Sequence, residues 1–218
     1  MSEELTKEQK LNQCFFRYVG FFNFLAESRE KPKESSRFNE REILARFREN
    51  YRFGSSFESL KYIQKYLDEL PDDLSYFERE KIEEIYLLMA GLFGLYPSLN
   101  WNSKDKFSNL GKSFYEYERE VNKNKKRSKD DLSTLGPEKR FMSLIRANEE
   151  DLPKYLQQAI QLMKSKKIPI NWLQLLKDIR NWNNEKINVQ RNWARGFWGS
   201  KTTDNKETET TEKGEEKQ

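Results

Sequence analysis

Apolar side chains recur three and four residues apart in segment after segment of this chain. Phe15, Tyr18, Phe22 and Leu25 follow that spacing within 11–27, Leu60, Ile63, Tyr66 and Leu67 within 57–69, and Trp172, Leu175, Leu176, Ile179 and Trp182 within 172–182. This is the period of a helix with one buried face, and no segment alternates convincingly as a strand. Nine glycines and six prolines in 218 residues are too few for a turn-rich β fold. The chain is therefore expected to be all-α.

Local signals set the helix limits. Asn39 fits the N-cap of a helix over 40–50, whose first turn is acidic as the helix dipole prefers. Pro71 stops the helix over 57–69. From Ser75 a charged start gives way to an apolar run, Ile82 to Tyr96, which marks the most buried helix of the first half. A short helix over 110–121 follows a polar loop. Further helices are expected at about 138–147, 152–166, 172–182 and 186–198, with Pro169 separating the second from the third.

The stretch NKNKKRSKDDLST, residues 122–134, is hydrophilic and aperiodic. We accordingly divide the chain into an N-terminal helical lobe (1–121), a flexible linker (122–136) and a C-terminal basic helical lobe (137–199). Residues 200–218, a low-complexity run of Thr, Glu and Lys, are expected to be a disordered tail.

Several function classes lose their equipment at this level. The chain has no histidine, the commonest general base and metal ligand. Its one cysteine, Cys14, has neither a disulfide partner nor a histidine to activate it, which fits a reducing, cytoplasmic setting. No apolar run approaches the roughly 20 residues of a membrane span, and MSEELTKEQK does not resemble a secretory signal. LGKS at 110–113 ends like a phosphate-binding loop, but position 106 is Lys where that loop needs Gly, and no buried strand precedes it. Asp72 and Asp73 suit a turn better than a metal cluster. No catalytic residue, metal ligand or cofactor is assigned, and the chain is not expected to be an enzyme.

The informative feature is where the charge lies. The net +4 conceals a segment, 139–199, with twelve basic and five acidic side chains, a local +7; the tail carries −2. In PEKRFMSLIRAN, Lys139, Arg140, Ser143 and Arg146 face away from Phe141, Met142, Leu144 and Ile145. One such helix is an ordinary solvated face. The pattern repeats, however: Lys177 and Arg180 flank the Trp172 face, and Arg191 and Arg195 form an i, i+4 pair opposite Val189, Trp193 and Phe197. Arg46, Arg48 and Arg52 cluster in the first lobe. Like charges four apart repel on an isolated helix, and guanidinium groups match phosphate geometry. Two readings follow: basic faces for nucleic-acid backbone, or a helical interaction module for acidic protein partners. The tryptophans at 172, 182 and 193 are expected in the core; Trp198, near the end of the folded segment, has two readings, a ring that stacks on a base or a packed one, and its helical context favours packing.

Ordered blocks across most of 40–199 resemble a known family: ILARFRENYR (43–52), EIYLLMAGLFGLYP (84–97), NLGKSF (109–114), the long stretch from Pro137 to Trp182, and VQRNWARGFWG (189–199). They resemble the CasB family, the small subunit of the type I-E CRISPR Cascade complex. The resemblance implies two helical lobes and no catalysis. It implies as partners the backbone and large protein subunits of Cascade, a second copy of the chain, the CRISPR RNA, and target DNA including its displaced strand. It implies contacts to nucleic-acid backbone that stabilise the R-loop, since guide–target pairing already supplies specificity. The basic positions it carries over are Arg46, Arg48, Lys112, Lys139, Arg140, Arg146 and Lys177; Arg180, Arg191 and Arg195 are added from charge geometry. Residues 1–36 rest on periodicity alone.

Overall fold

The computed structural model describes residues 5–30, 39–53, 57–98, 109–123 and 135–199. Expectations for residues 124–134, for the tail 200–218 and for the side chain of Arg52 lie outside the described residues. Within them the protein is all-α, with nine α-helices and no strand. No described helix is long and apolar enough to cross a membrane.

The helices are α1 (Lys7–Glu30), α2 (Glu40–Phe53), α3 (Phe57–Asp68), α4 (Tyr76–Leu95), α5 (Leu110–Asn122), α6 (Leu135–Ile145), α7 (Leu152–Ser165), α8 (Trp172–Arg180) and α9 (Val189–Ala194). A π-helical turn, Arg195–Gly199, continues α9. The capping signals act as expected. Asn39 Oδ1 accepts from the Glu42 amide at 3.2 Å. Ser75 and Glu78 form a reciprocal capping box at the start of α4. The last helix starts later than its apolar period suggests. Asn188 adopts a left-handed φ of 47° and caps α9 by accepting from the Arg191 amide at 3.0 Å, so 181–188 are turns.

Two compact units result. The first contains α1–α4 and α8. Its core is built from stacked rings: Tyr18 lies on Tyr86 with centroids 4.0 Å apart, and Phe22 on Phe93 at 4.3 Å. Trp172 of α8 stands edge-on to both Phe22 (6.3 Å) and Phe93 (5.4 Å), and its Nε1 donates to Ser98 Oγ at 3.3 Å. Arg180, at the other end of α8, donates to both carboxylate oxygens of Glu8 on α1, at 2.8 and 3.0 Å. Offset and edge-on ring pairs add to burial rather than replace it.

The second unit contains α5, α6, α7, α9 and the π-helical turn. Phe141 is fully buried between Phe114 (5.2 Å) and Phe197 (4.5 Å). Trp182 packs on Trp193 at 5.1 Å and donates from Nε1 to the Ala147 carbonyl at 3.0 Å.

This division differs from a boundary at 122–136. Helix α5 belongs with the second unit because Leu110, Phe114 and Tyr117 are buried there, Phe114 against Phe141. Helix α8 leaves the basic segment for the first unit because the Trp172 indole completes the Phe22–Phe93 stack. Residues 122–123 and 135–136, assigned to the linker from sequence, are the end of α5 with its following turn and the start of α6.

Candidate nucleic-acid interface

On α6 the sequence pattern translates directly into geometry. Phe141 and Leu144 are buried, while Lys139, Arg140 and Ser143 are exposed, as is Arg146 in the turn that ends the helix. Ser143 Oγ donates to the Lys139 carbonyl at 3.1 Å, turning its hydroxyl back onto the helix. An open groove of about 500 Å³ runs along this face, lined by Glu138, Lys139, Met142, Ser143 and Arg146. At one wall Trp198 Nε1 donates to Glu138 Oε1 at 3.2 Å, and the indole stands edge-on to Phe141. Trp198 is thus half-buried packing, as its helical context indicates.

Arg191 and Arg195 are exposed on α9 and at the start of the π-helical turn, in the same unit. Phe141 and Phe197 pack the turn directly against α6. Among the described residues, none of Lys139, Arg140, Arg146, Arg191 and Arg195 has a carboxylate within salt-bridge distance. These five exposed cations of one unit thus have no carboxylate counter-charge among the described residues, the state in which a polyanion gains most by replacing counterions.

The remaining candidates are differently placed. Arg46 is bound by Glu49 (3.0 Å) and Glu58 (3.6 Å), and the Glu49 hydrogen bond raises its pKa further. Lys112 lies 3.6 Å from Glu116 and 4.4 Å from the centre of the Tyr115 ring. Arg180 is held by Glu8 and sits over the Phe15 ring at 5.7 Å. Arg48 is exposed, with its Nε donating to the Leu44 carbonyl one turn back at 3.1 Å. Lys177 is half-buried on α8. Lys177 and Arg180 belong to α8, in the first unit, whereas α6 and α9 belong to the second.

The LGKS segment has a structural explanation. Asn109 caps α5, accepting from the Lys112 amide at 3.1 Å, and its Nδ2 donates to the Asn192 carbonyl at 3.1 Å. A Cβ on Gly111 would stand 2.6 Å from the Trp193 carbonyl carbon, and one on Gly196 would run into Asn109. Gly111 lets α5 meet the Trp193 backbone, and Gly196 leaves room for the Asn109 side chain and the Lys112 amide. Periodicity could not reveal this contact, because it is made by residues without an apolar face. Cys14 is buried, its Sγ donating to the Glu69 carbonyl at 3.2 Å, and burial raises the thiol pKa. Among the described residues, no group of three or more Cys, Asp or Glu side chains is arranged to hold a metal ion.

Comparison with known proteins bears on the family and the fold. The family model of CRISPR-associated protein Cse2 matches residues 43–198. The fold is similar to the crystal structure of M. ruber CasB, with a TM-score of 0.61 and 25% identity over 93% of this chain and 98% of that one. Two structures from Thermus thermophilus, one of CasB and one of a CRISPR-associated protein of the Cse2 family, each match with a TM-score of 0.56 and 21% identity. They cover 83% and 84% of this chain and 97% of their own. No curated protein sequence matches. The match over residues 43–198 takes in both structural units, and on it the chain belongs to the CRISPR-associated Cse2 family, that of the CasB small subunits of type I-E Cascade.

Proposed function

We propose that this chain is a non-catalytic Cascade subunit that holds nucleic-acid backbone on the second unit, through Lys139, Arg140, Arg146, Arg191 and Arg195, and so stabilises the R-loop and its displaced strand. The observation that carries this reading is the set of five exposed cations without a carboxylate partner among the described residues, within a segment of net +7. Ion-paired Arg46, Lys112 and Arg180 serve the fold first, and Arg48 and Lys177 contribute at most auxiliary contacts. CRISPR RNA, target DNA, the other Cascade proteins and a second copy of the chain are the partners this role requires. The chemistry is sequence-independent: phosphates are neutralised, and a near-balanced strand exchange is tipped toward the guide–target duplex.

The test is R-loop lifetime on target DNA, measured with complex assembled from wild-type chain or from the Lys139→Ala, Arg140→Ala, Arg146→Ala triple variant. A shortened lifetime with normal incorporation of the variant supports the assignment. An unchanged lifetime refutes it. Specific co-purification with an acidic protein alone, with no salt-sensitive affinity for single strands, would instead identify an acidic-protein module.

A further inference from the structure

The start of α4 carries a surface that no part of this role uses. Tyr76 is 73% exposed and Phe77 78% exposed, with ring centroids 5.8 Å apart in an edge-on pair. The buried face of α4 passes through Ile82, Ile85, Tyr86 and Met89. At 100° per residue Tyr76 and Phe77 lie about 120° and 140° away from Ile82 around the helix, so neither ring can turn into the core. Isolated exposed apolar residues are commonplace; two adjacent rings held against each other in water are not. Their place on the helix is fixed, since Ser75 and Glu78 form the capping box and Lys7 bridges to Glu78 at 2.9 Å.

The surrounding charge selects the partner. Residues 72–84 contain six acidic and two basic side chains among positions 72, 73, 78, 79, 80, 81, 83 and 84. Arg79 is turned away, donating to the Pro71 carbonyl at 2.7 Å and lying 3.7 Å from Asp72. Glu80 and Glu84 are exposed on the same side of α4 as the rings, with Glu83 half-buried beside them. None of the three has a cation within salt-bridge distance among the described residues. Bare rings can stack on bases, but stacking sites for nucleic acid are lined with cations, and these carboxylates repel phosphate. Aromatic anchors rimmed by complementary charge are the anatomy of a protein interface.

We propose that Tyr76 and Phe77, with the carboxylates of Glu80, Glu83 and Glu84, form a docking site for a different protein chain presenting an apolar pocket rimmed by lysine or arginine. This surface belongs to the first unit, and its charge is opposite to that of the proposed phosphate contacts.

The test uses the full chain in its assembled ribonucleoprotein, with p-benzoylphenylalanine in place of Phe77 as photo-cross-linker. The expected product is a cross-link to one peptide of another protein subunit, with lysine or arginine within a few residues. Two variants accompany it, Tyr76→Ser with Phe77→Ser, and Glu80→Lys with Glu84→Lys. Each is expected to lower incorporation into the complex by about tenfold or more, the scale of losing an interface anchor. Far-ultraviolet dichroism and melting should stay at wild-type values. A cross-link to RNA or DNA, a cross-link to a second copy of this chain, no cross-link in assembled complex, or wild-type incorporation of either variant overturns the proposal.

Discussion

Asn109 joins two helices that lie far apart in the chain: its Nδ2 donates to the main-chain carbonyl of Asn192, 3.1 Å away, while its Oδ1 caps α5. The same junction accounts for Gly111 and Gly196, the positions where a side chain would drive Trp193 or Asn109 out of place. Gly111→Ala is expected to destabilise the protein by about 3 kcal/mol, the upper range for forced overpacking, because the obstacle is rigid backbone. Asn109→Ala should cost about 1–2 kcal/mol through the lost cap and cross-link. Urea unfolding monitored by tryptophan fluorescence measures both, and Lys112→Ala, which leaves the junction intact, should be milder than either.

Salt dependence separates cations that meet phosphate from cations that hold the fold. For the Lys139, Arg140, Arg146 alanine triple, the slope of log affinity against log salt should flatten by roughly 2–3, since each lost phosphate contact removes about 0.7–0.9. For Arg180→Ala the slope should not change, and stability should fall by about 1 kcal/mol or less, as befits a partly exposed pair with Glu8. Titration of a labelled oligonucleotide at several salt concentrations distinguishes the two.

The capping box of α4 has a pH signature. Glu78 accepts from the Ser75 amide and hydroxyl, each at 2.8 Å, and from Lys7 at 2.9 and 3.0 Å. These bonds, the Ser75 amide foremost, hold its carboxyl down from 4.5 to about 2. The folded-state value is the lower one, so the ionised carboxylate stabilises fully above about pH 4.5, and that stabilisation is lost as pH falls through about 2. Glu78→Gln should therefore melt below wild type at pH 7 by an amount that shrinks steadily between about pH 4.5 and about pH 2. Ser75→Ala should lower stability at neutral pH by about 1 kcal/mol. Thermal melts across that range check both.

Trp172 makes α8 indispensable to the first unit. Trp172→Ala is expected to cost about 3–5 kcal/mol, through lost burial and an emptied space beside Phe22 and Phe93. A chain cut after Asn171 should be worse, uncovering the ring stack and breaking the tie from Arg180 to Glu8. Dye binding to exposed apolar surface together with a broadened urea transition would report it; a sharp, native-like transition for the truncated chain would contradict it.

Much of this architecture is legible in the residues, for reasons that also mark where legibility stops. Apolar period shows which face of a helix is buried, so Trp172, Trp182 and Trp193 are readable as core. It does not show what covers that face, so the passage of α8 into the first unit is invisible to it. The cationic set on α6 and α9 could be read from spacing because those residues need no distant partner. Arg180 could not, since Glu8 lies 172 positions away. Two ion pairs were within reach of spacing alone: Arg46 with Glu49 at i, i+3 and Lys112 with Glu116 at i, i+4. Tyr76 and Phe77 passed unremarked because their significance lies in exposure, which a helical period does not report.

The route of the chain also orders its own synthesis. Phe22 and Phe93 leave the ribosome long before Trp172, so the first unit is complete only once α8 has been made, and the second only once α9 and its π-helical turn have followed. At about 5–20 residues per second, the 79 residues from Phe93 to Trp172 take on the order of 4–16 s. Through that interval the nascent chain carries an unfinished aromatic surface, and a chaperone or a waiting partner has time to reach it before its own helix does.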